Sequence, residues 1–326
     1  MPEQINPSQA NNGPPNLRTM GFGELLDAVF SLYRTHFLSF FGIASGYFMA
    51  MAIVISIVFL DDSVGRSVRV AIWVSIVIAV FGVSLFVVSR LVLAGAQVWL
   101  RNTVSVGEVL RQGRRQFLPY CVGSFLFAVI TIFCVLLASF VFGFLIITYI
   151  EGSIGTDGIA VTTLNFIFQM FSALIMVSIP GFFITYWSFF TSATLLEGTP
   201  MRVGFRRSRA LIRGRRWRVI GTVIAIFLLS FAIGFILRTV FAFLFILTGL
   251  EDIGNFIETV QWMALWELPT KLSELRLSYA LMYLTNLGID TFVMPIWVIG
   301  CTLLYFDQRI RKEGFDIEVM ATHQEE

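Results

Sequence analysis

Along this chain apolar and polar residues fall into long blocks rather than a short alternation. Six apolar blocks, near 38 to 60, 70 to 98, 118 to 150, 160 to 196, 219 to 249 and 280 to 306, each reach the roughly 20 residues that a helix needs to cross bilayer hydrocarbon. Between them lie shorter segments where charged and apolar residues recur every three or four positions, the period of an amphipathic helix. In the first, Glu24, Asp27, Ser31 and Arg34 share one side and Leu25, Leu26, Val29, Phe30, Leu32 and Phe37 the other, the pattern of a helix lying in the membrane interface, to bind a partner or sense lipid, or of a packed element that guides the chain into the first span. Pro180-Gly181 and Pro295 sit inside apolar blocks and mark kinks, because proline removes a backbone hydrogen bond.

The blocks group into three hairpins, each led in by an amphipathic segment. Gly23-Glu24-Leu25-Leu26, Gly107-Glu108-Val109-Leu110 and Val203-Gly204 open these lead-ins, which end at Phe37, Phe117 and Trp217. At an offset of 97 residues, Ala96, Val106 and Gly107 fall on Ala193, Val203 and Gly204. The predicted fold is all-α: a polytopic membrane bundle of about six transmembrane helices in three hairpins, with amphipathic cytosolic helices. Residues 1–20, rich in Asn, Gln and Pro, read as a disordered tail without a signal's apolar run. Residues 21–318 form the membrane domain and 319–326 a short C-terminal tail.

Composition strengthens this reading. Hydrophobic residues make up 57% of the 326 and charged residues 13%, against nearer half and a quarter in soluble domains. The net charge is only +2, but its placement is uneven. With the N-terminus inside, the cytosolic connections hold Arg18, Arg34, Arg101, Arg111, Arg114, Arg115, eight arginines between 202 and 218, Arg309, Arg311 and Lys312, whereas the opposite side holds Arg66, Arg69, Lys271 and Arg276. That asymmetry places both termini in the cytosol. The outer connections are acidic, with Asp61, Asp62, Glu151, Asp157, Glu251, Asp252, Glu258, Glu267 and Glu274. Trp99 and Trp217 fall at the inner boundary and Trp73, Trp262 and Trp266 at the outer one, as an interfacial aromatic belt requires. The outer stretch from Ile253 to Trp266 has the spacing of another amphipathic helix.

Candidate chemistry is sparse. Two histidines, His36 and His323, stand apart from any second metal ligand, and the cysteines, Cys121, Cys134 and Cys301, lie in apolar blocks without metal or disulfide spacing. No nucleophile elbow, phosphate loop or dinucleotide fingerprint is present, so an enzyme with a cofactor or metal is not expected. The most pointed feature is Arg202, Arg206, Arg209, Arg213 and Arg216, spaced four, three, four and three, which stacks them on one face of a helix. Such a stripe suits anionic lipid headgroups or a membrane protein partner, each cation contributing about 1 kcal/mol near an anionic leaflet. It lacks the interleaved aromatics that nucleic acid would need. Gly42 with Gly46, and Ser230 with Gly234, have the spacing for close helix contact.

Three ionisable residues fall inside apolar blocks: Arg90, near the cytosolic end of its span and able to snorkel, and Arg238 and Asp290. At 1.5 Å per residue, Arg238 lies about 31 Å above Trp217 and Asp290 about 26 Å above Asp307, so the two are placed to pair in the outer half of the membrane. After the sixth span, charges of both signs between Asp307 and Glu318 predict an ordered continuation whose acids meet the arginine-rich connection.

Two stretches carry a likeness to a known family. Gly23-Glu24-Leu25-Leu26-Asp27 with Phe30, Leu32-Tyr33-Arg34 and Phe37, and Leu303-Leu304-Tyr305-Phe306-Asp307-Gln308-Arg309-Ile310-Arg311-Lys312-Glu313-Gly314-Phe315-Asp316, resemble the bacterial family named for the membrane domain of glycerophosphoryl diester phosphodiesterase. The resemblance runs from Gly21 to Glu318 and implies a multi-helix module of the bacterial cytoplasmic membrane. In fused relatives phosphodiesterase activity belongs to a separate soluble barrel, for which this chain has no room, so no activity carries over. The expected function is a non-enzymatic membrane module engaging anionic lipids or a membrane partner through its arginine-rich cytosolic face. The alternative is a transporter or permease for a small or lipid-like solute, built on the polar residues at depth.

Overall fold

A computed structural model describes residues 18–59, 66–101, 106–111, 114–152, 159–249 and 277–315. Among these residues the chain is helical and contains no strand: α1 (Phe22–Thr35), α2 (Phe37–Phe59), α3 (Arg66–Arg101), α4 (Val106–Arg111), α5 (Arg114–Gly152), α6 (Ile159–Leu196), α7 (Met201–Ile212), α8 (Arg216–Leu247) and α9 (Leu277–Glu313). The protein is an all-α polytopic membrane bundle. Five helices are long and apolar enough to span a bilayer, and α1 with α2 adds a sixth as a pair bent by 84°. The acidic connections at 60–65, 153–158 and 250–276, with the amphipathic stretch from Ile253 to Trp266, lie outside the described residues.

The predicted hairpins are α2–α3, α5–α6 and α8–α9, each an extensively packed pair. Their environments differ. The most apolar stretch of α9 is 72% buried and that of α5 only 17%, so α9 is the core post and α5 a peripheral wall. Large apolar side chains line the outer faces of α5, from Leu118 to Phe140, and of α8, from Ile224 to Leu247. On α8 this belt spans about 34 Å at the helical rise, close to the roughly 30 Å of bilayer hydrocarbon. Exposed apolar side chains of this kind would be a liability in water and suit a lipid surround. The helices run through Pro180 and Pro295 without interruption.

At the opposite end from Leu247, the three lead-ins α1, α4 and α7 pack around the ends of α3, α6 and α9. The tightest joint is Phe190 of α6, which is fully buried, stacks on Phe205 of α7 at 4.7 Å and meets Phe127 of α5 at 5.6 Å. A Cβ on Gly123 would lie 2.2 Å from this ring and one on Gly204 3.2 Å, so both glycines exist for the close approach. Gly107, the repeat partner of Gly204, meets nothing within 4 Å. The first small-residue pair diverges similarly: a Cβ on Gly46 would lie 3.8 Å from Val87, whereas one on Gly42 would meet nothing within 4 Å.

α1 is a packed lead-in to the first span, one of the two readings its pattern allowed. Glu24 caps it by accepting from the Gly21 N–H at 2.8 Å, and Leu25, Val29, Leu32 and Tyr33 are buried. At one end the Met20 N–H donates to Asp307, and at the other the Tyr33 hydroxyl donates to the Phe292 carbonyl at 2.8 Å. These contacts are about 20 Å apart on α1 and about 22 Å apart on α9. α1 therefore packs against α9, and Leu25, Val29 and Leu32 of its apolar face are used against protein while Phe30 stays exposed. The expected tail also ends earlier than residue 20: Met20 is 5% exposed and held at both its N–H and its carbonyl. Residues 1–17 and 316–326 lie outside the described residues.

Candidate functional site

The arginine-rich end is built from two layers. The inner layer centres on two carboxylates. Glu197, just after α6, accepts from the Tyr305 hydroxyl and from Arg207 Nε at 2.9 Å, and pairs with Arg309 at 3.6 Å. Arg207 Nη1 reaches Glu313 at 2.6 Å, so one arginine of α7 joins the end of α6 to the end of α9. Burial opposes the Arg207 charge, but the hydrogen bond and charge of Glu197, with Glu313 beside it, outweigh that and hold its pKa above the ordinary arginine value. Asp307, fully buried, accepts from the Met20 N–H at 2.9 Å and from Arg311 Nε at 2.8 Å. Arg311 and Arg218 both donate to the Met20 carbonyl, at 2.6 and 3.2 Å. Lys312 Nζ donates to the carbonyls of Ala210, at 2.7 Å, and Arg213, near the C-terminal end of α7, where a helix dipole favours a cation.

The described part of the Asp307 to Glu318 continuation is thus ordered. α9 extends to Glu313, Gly314 takes the left-handed φ of +64° that ends a helix, and Phe315 folds back to stack on Phe306 at 5.8 Å beneath the Arg309 guanidinium, 3.9 Å from its ring.

The outer layer is the predicted arginine set. Arg202, Arg206, Arg209, Arg213 and Arg216 are all exposed, with Arg215 and Arg218 beside them and Trp217 89% exposed. They do not form one helical stripe. α7 ends at Ile212, Arg213 takes an extended conformation, and Gly214 adopts φ +91° before α8 begins at Arg216. Only Arg202, Arg206 and Arg209 share a helix. The spacing that suggested five in register assumed a continuous helix, whereas Gly214 is a helix-stop residue. The result is a curved cationic face over a helix–turn–helix.

Arg90 likewise corrects its expectation. It does not snorkel: it is 2% exposed, donates to the Val109 carbonyl at 3.0 Å and lies over the Phe86 ring at 4.7 Å. The last turn of the short helix α4 gives it a negative dipole end inside the fold, nearer than the headgroups.

At the far end of the α8–α9 hairpin, Arg238 Nη2 donates to Asp290 Oδ1. The Arg238 side chain is 8% exposed and that of Asp290 31%. The guanidinium folds back over Gly234, where a Cβ would sit 2.8 Å from Nη1, so this glycine leaves the room that turns Arg238 towards Asp290. A cleft of about 290 Å³ adjoins the pair, walled by α8 and α9 with Tyr47 of α2 at its side. Sequence reasoning did not single out Tyr47 or Glu197. Glu197 carried a readable signal, as the acid directly ahead of the arginine-rich segment from Gly198 to Arg218.

Compared with family models, curated proteins and solved structures, the chain matches none of them.

Proposed function

We propose that this protein is a non-enzymatic integral membrane module that engages anionic lipid headgroups through its arginine-rich end. The observation that supports this reading is the separation of the two layers. Arg207, Arg309 and Arg311 are bound to carboxylates inside the fold, while Arg202, Arg206, Arg209, Arg213 and Arg216 stand exposed around Trp217. Cations beside an exposed indole suit the headgroup level of a leaflet. The charge asymmetry favours the cytosolic leaflet, and the resemblance to the phosphodiesterase membrane-domain family favours a bacterial cytoplasmic membrane and a module without the phosphodiesterase reaction. Protein–lipid discs cut by polymer from vesicles mixing phosphatidylglycerol and phosphatidylcholine test the proposal. Phosphatidylglycerol is expected to be enriched around the wild type, and the enrichment to vanish when the five arginines become glutamine and to fall with salt. Equal enrichment around both proteins would overturn it. Discs cut in the same way from membranes of the expressing cell also report a membrane protein partner, as co-isolated protein.

A further inference from the structure

A second cleft, of about 240 Å³, lies between α3, α5 and α6. Its walls include Phe81 of α3, Phe127, Ala128 and Ile132 of α5, and Phe183 and Trp187 of α6. Ile132 is more than half exposed, so the cleft opens onto the lipid-facing side of the bundle. Its polar members are spent on the protein: Trp187 Nε1 donates to Ser124 Oγ at 2.9 Å, and Thr131 Oγ1 donates to the Phe127 carbonyl at 2.7 Å. No charged side chain lines it. Such a lining suits hydrocarbon and offers a polar ligand little to replace its water.

α7 crosses one end of this cleft. Phe205 meets Phe127 at 5.0 Å, and Ser208 Oγ donates at 2.9 Å to the carbonyl of Tyr186, the residue before Trp187. Ala128, Thr131 and Ile132 lie beyond the first contact, and Phe183 and Ile184 beyond the second, away from the arginine-rich end. Arg202 and Arg209, three residues before and four after Phe205, share its side of α7 and are exposed, with Arg206 beside them. Three cations of the outer layer therefore stand over the end of an apolar cleft. On α5, Ser124 is about 9 Å and Ile132 about 21 Å from Leu118 at the helical rise, in an apolar belt of about 33 Å. The cleft thus starts in the half of the hydrocarbon beside the arginine-rich end and reaches just past its middle, where the chains of that leaflet end. Over these 12 Å or so of length its cross-section averages about 20 Å², the width of one hydrocarbon chain and far less than a helix about 10 Å across.

We infer that the cleft holds one acyl chain of an anionic diacyl phospholipid of that leaflet, whose phosphate rests on Arg202, Arg206 and Arg209, the second chain remaining in the bilayer. This rests on the headgroup-binding reading and adds to it one lipid held by head and chain together, distinct from the lipids that only gather around the cations.

Native mass spectrometry of the whole protein tests this after extraction from vesicles of equal phosphatidylglycerol and phosphatidylcholine. One phosphatidylglycerol is expected to stay bound, preferred over phosphatidylcholine by at least about tenfold, since each headgroup cation contributes about a fivefold factor. Ala128→Trp fills the cleft and leaves every arginine in place. It should release that lipid while the enrichment of phosphatidylglycerol in polymer-cut discs persists. Arg202→Gln, Arg206→Gln and Arg209→Gln together should abolish the preference. Excess soluble glycerophosphoglycerol should not displace the lipid, because it has the head without the chain. A second measurement needs no filled cleft: Trp187 emission, taken as the difference between wild type and Trp187→Phe in vesicles, should be quenched more by phosphatidylglycerol brominated along its chains than by phosphatidylcholine brominated alike. Full retention in Ala128→Trp, displacement by glycerophosphoglycerol or equal quenching by the two lipids would overturn the cleft assignment and leave the headgroup reading standing. Absence of enrichment in wild-type discs would overturn both.

Discussion

The two ends of the α8–α9 hairpin use the same chemistry, arginine against carboxylate, in opposite ways. At the arginine-rich end the acids are shared: Glu197 takes a tyrosine and two arginines, and Asp307 takes a backbone N–H and Arg311. Water is near, and each group has substitutes. At the other end Arg238 meets Asp290 between two helices inside the lipid-facing belt. The hydrocarbon supplies no replacement for a lost partner, so one pair there should matter more than one pair in the network. Density of charge and dependence on charge are thus inverted across the molecule.

The largest effect is expected for Arg238→Leu, which removes the guanidinium that pairs with Asp290 inside the lipid-facing belt. Unfolding in lipid nanodiscs should show a loss of about 3–5 kcal/mol, and adding Asp290→Leu should recover much of it. Losses that simply add in the double variant would show the two residues to be uncoupled and would dissolve the contrast. Next comes Tyr305→Phe, which removes a hydroxyl bound to the buried side of Glu197. A loss of about 1.5–3 kcal/mol is expected, as for a hydrogen bond to a charged group.

Glu313→Gln sharpens the comparison from the network side. Arg207 keeps Glu197, so the same unfolding assay should register no more than about 1 kcal/mol, and less in high salt. A penalty as large as that of Arg238→Leu would mean the network has no redundancy. The smallest effect belongs to Arg18→Ala: Arg18 and Glu24 are 69% and 50% exposed, and the change should fall at the low end of about 0.2–1 kcal/mol in that assay.

Much of this was readable in advance because lipid imposes simple rules. A span must be an apolar helix, and the apolar blocks correspond to α2, α3, α5, α6, α8 and α9, with boundaries shifted where helices continue into the charged end. Arg238 and Asp290 came from the same rule, since charge at depth requires a motive and the helical rise placed both at similar heights. The arginine set was visible as a cluster but not in shape, because spacing was read through Gly214 as though the helix continued. Arg90 was misjudged for a related reason: its partner, the Val109 carbonyl, is backbone, and sequence does not show where a backbone group will be presented.

By itself the sequence determined what solvent each segment would meet. Apolar run length set the helices, and the three lead-ins ahead of three hairpins set their order along the chain, since these follow from hydrophobicity and helix period alone. Tertiary structure decided which faces became interior. It packed α1 against α9 and buried Met20, divided the arginines between an inner network and an exposed face, and used Gly234 to turn Arg238 towards Asp290 beside a cleft. These outcomes depend on distances between residues tens to hundreds of positions apart, and a local pattern carries no record of them.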